Sequence, residues 1–370
     1  MAVWRYLAYD LVTNTLLEEL PLRDVKFTGQ LNRAGSFSAE LQLNVQVQTS
    51  PGVYASKAAA LLAATQCGRT VVYVERDGVL LDGFILWTRS YDYSSSGTKC
   101  TIGGNSLWSY FGRRLNNVDQ VFSGADIVTI ARTLINVAQA QTGGSIGVTV
   151  GSETSGVTMS VTYNGYEHKN IGTAVEELSG QENGFDFGIS VAYSSGVPAK
   201  TLVCSYPRAG RNIGDSGHVF EMGRNLLEYA YPEDATKQVN RLYVVGAGDG
   251  ADMRTVTSVR TDVLALGWPL LEDQLSAKDT SNTTLLDQRG RAKVNALGLP
   301  AALPQVTVTA GGDPAIGQWV LGDYARFIFG SSTSSFDPRF PSRTEVVARI
   351  VAYECTPGTE GQELVKLTLN

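Results

Sequence analysis

Charge, histidine and long apolar runs are what this 370-residue chain has little of, and each shortage removes a class of function. Charged residues make up 18%, below the roughly 25% of an average soluble domain, so much of the surface suits contact with other protein. The few charges show no basic excess. With 30 Lys and Arg against 36 Asp and Glu, the formal net charge is −6, which argues against sequence-specific nucleic-acid binding and against docking on an anionic membrane. No stretch approaches the roughly 18 uninterrupted apolar residues of a bilayer span, the longest apolar helix candidate being residues 58–64, so no membrane-spanning segment is expected. Residues 1–12 lack a basic start followed by an apolar run, and read as an alternating strand rather than a secretory leader. Cys67, Cys100, Cys204 and Cys355 form no CxxC pair. The last three lie in strand-like segments and read as small buried hydrophobes, not as a metal or disulfide framework.

What is present is β patterning interrupted by a few helices. Val25, Phe27, Phe37, Ala39, Leu41 and Leu43 recur at period 2 around a turn at Asn32 to Ser36, a hairpin signature. Asp77-Gly78 stands between the apolar runs of residues 70–87 and predicts a second hairpin through a type I′ turn. A third pair, residues 89–103, turns at Ser94 to Gly97. Residues 54–65 are Ala- and Leu-rich and read as a helix. The texture changes near residue 115. Residues 125–141 carry Ile127, Ile130, Leu134 and Val137 on one helical face with Ser123 as the expected N-cap, and residues 170–180 repeat that logic before two strand candidates, 185–193 and 200–206. Strand character returns in 241–245, 253–263, 305–309, 319–329, 346–353 and 363–369, with a helix over 281–297 expected to cross between sheet edges. A weak internal echo relates Gly68 to Val72 and GFILWTRSYD to Gly317 to Leu321 and VVARIVAYEC. Ser331 to Ser335 reads as a loop tip.

Candidates for chemistry are few. His168, in a polar turn, and His218, after GDSG, are the two possible bases of a nucleophilic site; no HExxH occurs, and no Gly-x-Ser-x-Gly elbow is expected. Gly246 to Ala251 spells the dinucleotide fingerprint G-x-G-x-x-G/A, yet the Thr- and Val-rich segment after it predicts a strand where the fingerprint needs a helix, so a hairpin turn is expected. Glu176, Glu177 and Glu182 are the carboxylates a glycan hydrolase could use, but neighbours in sequence point apart on a helix and read as a solvated face. Asp249 and Asp252 lack the continuation of a calcium loop. The aromatics Trp4, Tyr6, Tyr9, Trp87, Tyr91, Tyr93, Trp108, Tyr110 and Phe111, with only Arg113-Arg114 interleaved, suit a core or a protein interface better than base stacking. No catalytic residue, cofactor or metal site is assigned.

In order, FTGQLNRAGSFSAELQL, VERDGVLLDGFI, NIGTAVEELSGQENGFDF, KQVNRLYVVGAG and DPAIGQWVLGDYARF make the chain resemble the hub, or minor tail, proteins of long-tailed bacteriophages. It is similar also to the structural N-terminal portion of tail-associated lysins. The resemblance implies a mainly β fold with an α+β insertion: two tail-tube-like β-barrel domains, 1–115 and 223–370, with a small α+β module, 116–222, between them. It further implies a homotrimer whose two barrels per chain mimic a sixfold ring, closing the tail tube and letting DNA or the tape-measure protein pass. Implied neighbours are the distal tail ring, the tape-measure protein and downstream tail-tip or receptor-binding proteins. A hexameric distal ring or a fibre-base adaptor is the alternative. Because the sequence stops at Asn370, the lytic activity of longer relatives is not expected.

Overall fold

The computed structural model describes residues 2–50, 53–94, 97–330, 337, 339–358 and 363–370. Alternating burial builds its first strands. β1 (Trp4–Asp10) pairs antiparallel with β2 (Leu16–Glu19), and β3 (Leu22–Gln30) with β4 (Ser36–Leu41), whose Phe37, Ala39 and Leu41 point inward. β5 (Gln46–Ser50) and β6 (Val53–Ser56) form a separate pair, so the helix expected over 54–65 is shorter: α1 spans Ala58–Ala63. Val53 and Tyr54, β-branched and aromatic, take the strand instead. Asp77 and Gly78 both have positive φ, +52° and +82°, as a two-residue primed turn requires, and they reverse β7 (Thr70–Arg76) into β8 (Val79–Ser94). β9 (Gly97–Ser106) returns along β8; Ser95 and Ser96 at that turn lie outside the described residues.

The middle of the chain is the α+β insertion. β10 (Gln120–Asp126) runs past the expected cap, and α2 (Ile127–Ala140) starts at Asp126, whose Oδ1 accepts from the amides of Val128 (3.0 Å) and Thr129 (3.1 Å). Ser123 is not the cap because Gly124, at φ +57°, bulges the strand and carries it on to Asp126. Burial works to raise the Asp126 carboxyl, but the bonds from Ser155, Thr129 and Gly156 outweigh it and hold the carboxyl below its usual range. β11 (Val148–Val150), β12 (Thr158–Tyr163), α3 (Ile171–Ser179), β13 (Asp186–Ser194) and β14 (Val197–Ser205) follow, with β13 the outer strand of the sheet ordered β11-β14-β13. A short helix α4 (Ile213–Ser216) then leads to β15 (Val219–Glu221) and β16 (Leu226–Ala230).

Two compact units divide the chain: Met1–Glu176, Phe185–Tyr229 and Val306–Asn370 make the larger, Glu177–Gly184 and Ala230–Gln305 the smaller. In the smaller, β17 (Glu233–Asp234) is followed by the sheet of β18 (Arg241–Val245) and β19 (Thr255–Val259), then α5 (Thr261–Ala265), β20 (Glu272–Ser276), α6 (Thr283–Leu297) and β21 (Ala301–Ala302). The alternation expected over 253–263 therefore stops at Val259. α6 packs Leu286 and Val294 onto Leu242 and Val244 and lies over the sheet face, not between sheet edges.

In the larger unit, β22 (Gln305–Thr309), β23 (Tyr324–Phe329), β24 (Thr344–Thr356) and β25 (Leu364–Leu369) complete a 13-stranded sheet whose main path is β16-β22-β25-β24-β3-β4-β9-β8-β7-β1-β2. The strand expected over 319–329 begins only at Tyr324, because Val320 and Asp323 close a turn through the Asp323 amide and the Val320 carbonyl. β24 pairs with β23 over residues 344–349 and with β3 over residues 352–355, so one ladder runs between early and late segments of the chain. A single core cluster follows it, from Phe27, Phe37 and Phe84 to Phe220, Phe327 and Phe329. The echoed segments GFILWTRSYD and VVARIVAYEC fall in β8 and β24, each the middle strand of an antiparallel run, β7-β8-β9 and β23-β24-β25. The fold is mainly β with an α+β insertion. Ser331 to Ser335 lie outside the described residues.

Candidate interaction groove

The polar groups singled out in the sequence do not assemble into a catalytic site. His168 is exposed and adopts a left-handed conformation, φ +48°, at the end of a one-turn helix. His218 is buried, with Nε2 at 2.9 Å from Arg211 Nη2 and 3.4 Å from Asp323 Oδ2. Its described partners are thus an arginine and a carboxylate, not a nucleophile. Burial, then Arg211, lowers its affinity for a proton, and Asp323 opposes this. Asp323 itself is fully buried, and bonds from Arg211 and Val320 overcome the burial that would raise its carboxyl. Glu176 accepts 2.9 Å from the Trp108 indole, a tether in the larger unit, while Glu177 and Glu182 belong to the smaller one. Gly246 to Gly250 turn the antiparallel β18–β19 hairpin, with only a three-residue 3-10 turn at Gly250–Asp252. Among the described residues no group of three His, Cys, Asp or Glu could hold a metal. No described helix is long and apolar enough to cross a membrane. Contrary to the expectation of no such motif, Gly143-Gly144-Ser145-Ile146-Gly147 spells Gly-x-Ser-x-Gly. It joins α2 to β11, the reverse of the strand-to-helix order an elbow needs, and Ser145 Oγ accepts from the Gly147 amide at 3.2 Å.

The aromatics divide between core and surface. Trp4 packs edge-on to Phe27 and donates to Glu363 at 2.7 Å, Tyr9 meets Tyr73, and Trp108 lies 4.4 Å from Phe187 between ring centroids. Arg113 stacks on Trp87 at 4.0 Å, whereas Tyr91 and Tyr93 are exposed. Cys100, Cys204 and Cys355 are buried in strands, and Cys67 is exposed.

The larger unit does hold a groove of about 440 Å³, within the range of small-molecule sites. Its walls come from the β3–β4 turn (Leu31), the start of β8 (Val79, Leu81, Asp82), β13 (Phe187, Ile189, Val191), the loop before β23 (Trp319, Val320) and β24 (Tyr353). Close fits fix these walls. A side chain at Gly29 would come within 2.2 Å of the Tyr353 ring, and Tyr353 also meets Trp319 edge-on with centroids 5.5 Å apart. Below, Asp186 of β13 accepts from Asn32 Nδ2 (2.7 Å), from the Ala209 amide (2.8 Å) and from Arg349 of β24, joining three parts of the unit at one carboxylate. At the rim Val79, Val203 and Val320 are exposed.

One wall group is out of character. Asp82 is half-buried, and loss of water pushes its carboxyl up to about 7 despite a 2.7 Å bond from the Gly83 amide. The sequence carries a signal for it: an acid interrupts the apolar run Val79 to Trp87.

No protein-family model and no curated protein matches the sequence. Solved structures do. A tail protein from Neisseria meningitidis superposes with a TM-score of 0.59 at 11% identity, over 98% of this chain and 96% of that one. A prophage tail protein from Listeria monocytogenes gives 0.54 at 14% identity, covering 99% and 94%. A 43 kDa tail protein of prophage MuSo2 from Shewanella oneidensis gives 0.56 at 10% identity, covering 99% and 98%. This chain has the fold of phage tail proteins. The match covers nearly the whole chain, and the groove is built from five of its segments.

Proposed function

We propose that the chain is a structural protein of the phage tail tip. Three copies form the hub that closes the tail tube, each giving two tube-like barrels, segments 1–115 and 223–370, with 116–222 as the module between them. Three chains with two barrels each present six similar faces, the number a sixfold tube requires. The observation that carries the reading is the end-to-end fold match to tail proteins, 94–98% of each neighbour's length. The paired runs β7-β8-β9 and β23-β24-β25 in one sheet support the doubling. Low surface charge supports extensive contacts with copies of itself, the distal tail ring, the tape-measure protein and downstream tail-tip proteins. The role is non-catalytic and the place is the virion tail.

Native mass spectrometry or light scattering across a dilution series tests this. A species of three times 39.7 kDa is expected. A hexamer would favour the distal-ring alternative, and a monomer that persists at every concentration would count against the hub.

A further inference from the structure

Asp82 faces the groove without a cation. Among the described residues its carboxylate accepts one bond, from the Gly83 amide, and no ion pair reaches it. The other charged or titratable groups lining the groove are Arg33, Asp186 and Tyr353. Asp186 is engaged by Arg349, Tyr353 is a phenol whose burial keeps it neutral, and Arg33 is exposed without pairing to Asp82. A half-buried carboxylate in a groove that Leu81, Ile189 and Val191 also line is destabilised unless it takes up a proton or a cation from outside compensates it.

The main chain of β13 supplies a second observation. β13 is an outer strand of its sheet, and the Phe187 amide donates to Asn32 Oδ1 at 2.7 Å instead of to β14. Register is unbroken from Asp186 to Ser194, so Ile189 and Val191 also turn their N–H and C=O away from β14, and both line the groove. Free strand edges recognise extended peptides through main-chain bonds, which a small amine cannot make.

We propose that the groove is a docking site for an extended segment of a partner protein, which runs along the edge of β13, buries apolar side chains against Leu81 and Val320, and presents one lysine or arginine to Asp82. The inference goes beyond the hub reading and holds for any copy number.

Isothermal titration of the full chain tests it with three probes: the blocked pentapeptide LVKVS, its glutamine counterpart LVQVS, and n-octylamine. At pH 8 LVKVS is expected to bind one site about tenfold more tightly than LVQVS, a charge-assisted bond's worth of discrimination. At pH 6, where Asp82 takes up a proton in the free protein, the preference is expected to shrink to about twofold, and Asp82→Asn is expected to abolish it at both pH values while LVQVS still binds. Failure of both peptides to bind, or binding of octylamine alone, would overturn peptide docking. Equal affinity for the two peptides at pH 8, or a lysine preference as large at pH 6 as at pH 8, would overturn the part given to Asp82. That pH comparison needs no variant, so it decides the matter even if Asp82→Asn does not fold.

Discussion

Asp82 enters the groove from the first residues of β8, and the protein around it sets its chemistry. Its ordinary value is 3.8 and in the fold it is pushed up to about 7 by burial. A raised acid holds its proton more tightly in the native state. Its contribution to stability is therefore whole below about pH 4 and is lost as pH rises through 7. Asp82→Asn escapes that loss. The variant is expected to be more stable than the parent at pH 8 by about 2–4 kcal/mol, with the gain shrinking toward nothing at pH 4. Urea denaturation at the two pH values measures this, and equal midpoints at pH 8 would contradict it. His218 has the opposite sign of effect: its folded state resists protonation, so it withdraws stability on acidification.

At the scale of elements, α6 offers a case where local preference and packing disagree. Alanine is the better helix former than glycine by roughly 1 kcal/mol, so Gly290→Ala should stabilise α6 taken alone. In the fold the new Cβ would stand 2.3 Å from Ser258 Oγ and 2.9 Å from Val244 Cγ2. Overpacking of this kind costs about 1–3 kcal/mol, and a lower thermal midpoint is the expected outcome. A raised midpoint would mean that α6 can shift off its sheet.

The same contest explains which elements could be read from sequence. Hairpins set by local chemistry, such as Asp77-Gly78 and the Asn32 turn, were legible, as were the amphipathic helices α2, α3 and α6. Sequence and structure part where a distant partner decides. Trp319 to Leu321 look like strand, but the buried Asp323, held by Arg211 Nη2 at 2.6 Å, folds them into a loop. The α2 cap is Asp126 and not Ser123, because the bulge at Gly124 carries the strand on to an aspartate that Ser155 and Gly156 also bond from across a loop. The groove was illegible for the same reason. Its walls come from Leu31, Leu81, Ile189, Val320 and Tyr353, and no local pattern relates them.

For the whole molecule, the weight falls on the joint at Asp186. Arg349 Nε donates to the Gly322 carbonyl at 3.0 Å and Nη2 to Asp186 and the Ala209 carbonyl, so one guanidinium ties β24 to the inserted module. Arg349→Met leaves the buried Asp186 carboxylate with the Asn32 and Ala209 bonds but without its cation. Such removals cost about 3–5 kcal/mol, and faster amide exchange over residues 186–205 is expected together with the loss of stability. Unchanged exchange there would show that the insertion is held by other contacts.

The ladder between β24 and β3 has a consequence in time. Ala352 lies opposite Gln30 and Cys355 opposite Phe27, so a strand made early meets its neighbour only when the last strands leave the ribosome. At a synthesis rate of about 10 residues per second that interval is on the order of half a minute. Throughout it, one side of β3 is an unsatisfied edge on a nascent chain, open to the wrong neighbour on the same polysome. Crowded translation of this protein is therefore the moment of greatest aggregation hazard, and slower initiation or a chaperone bound to the emerging β3 would raise the soluble yield without altering a single residue.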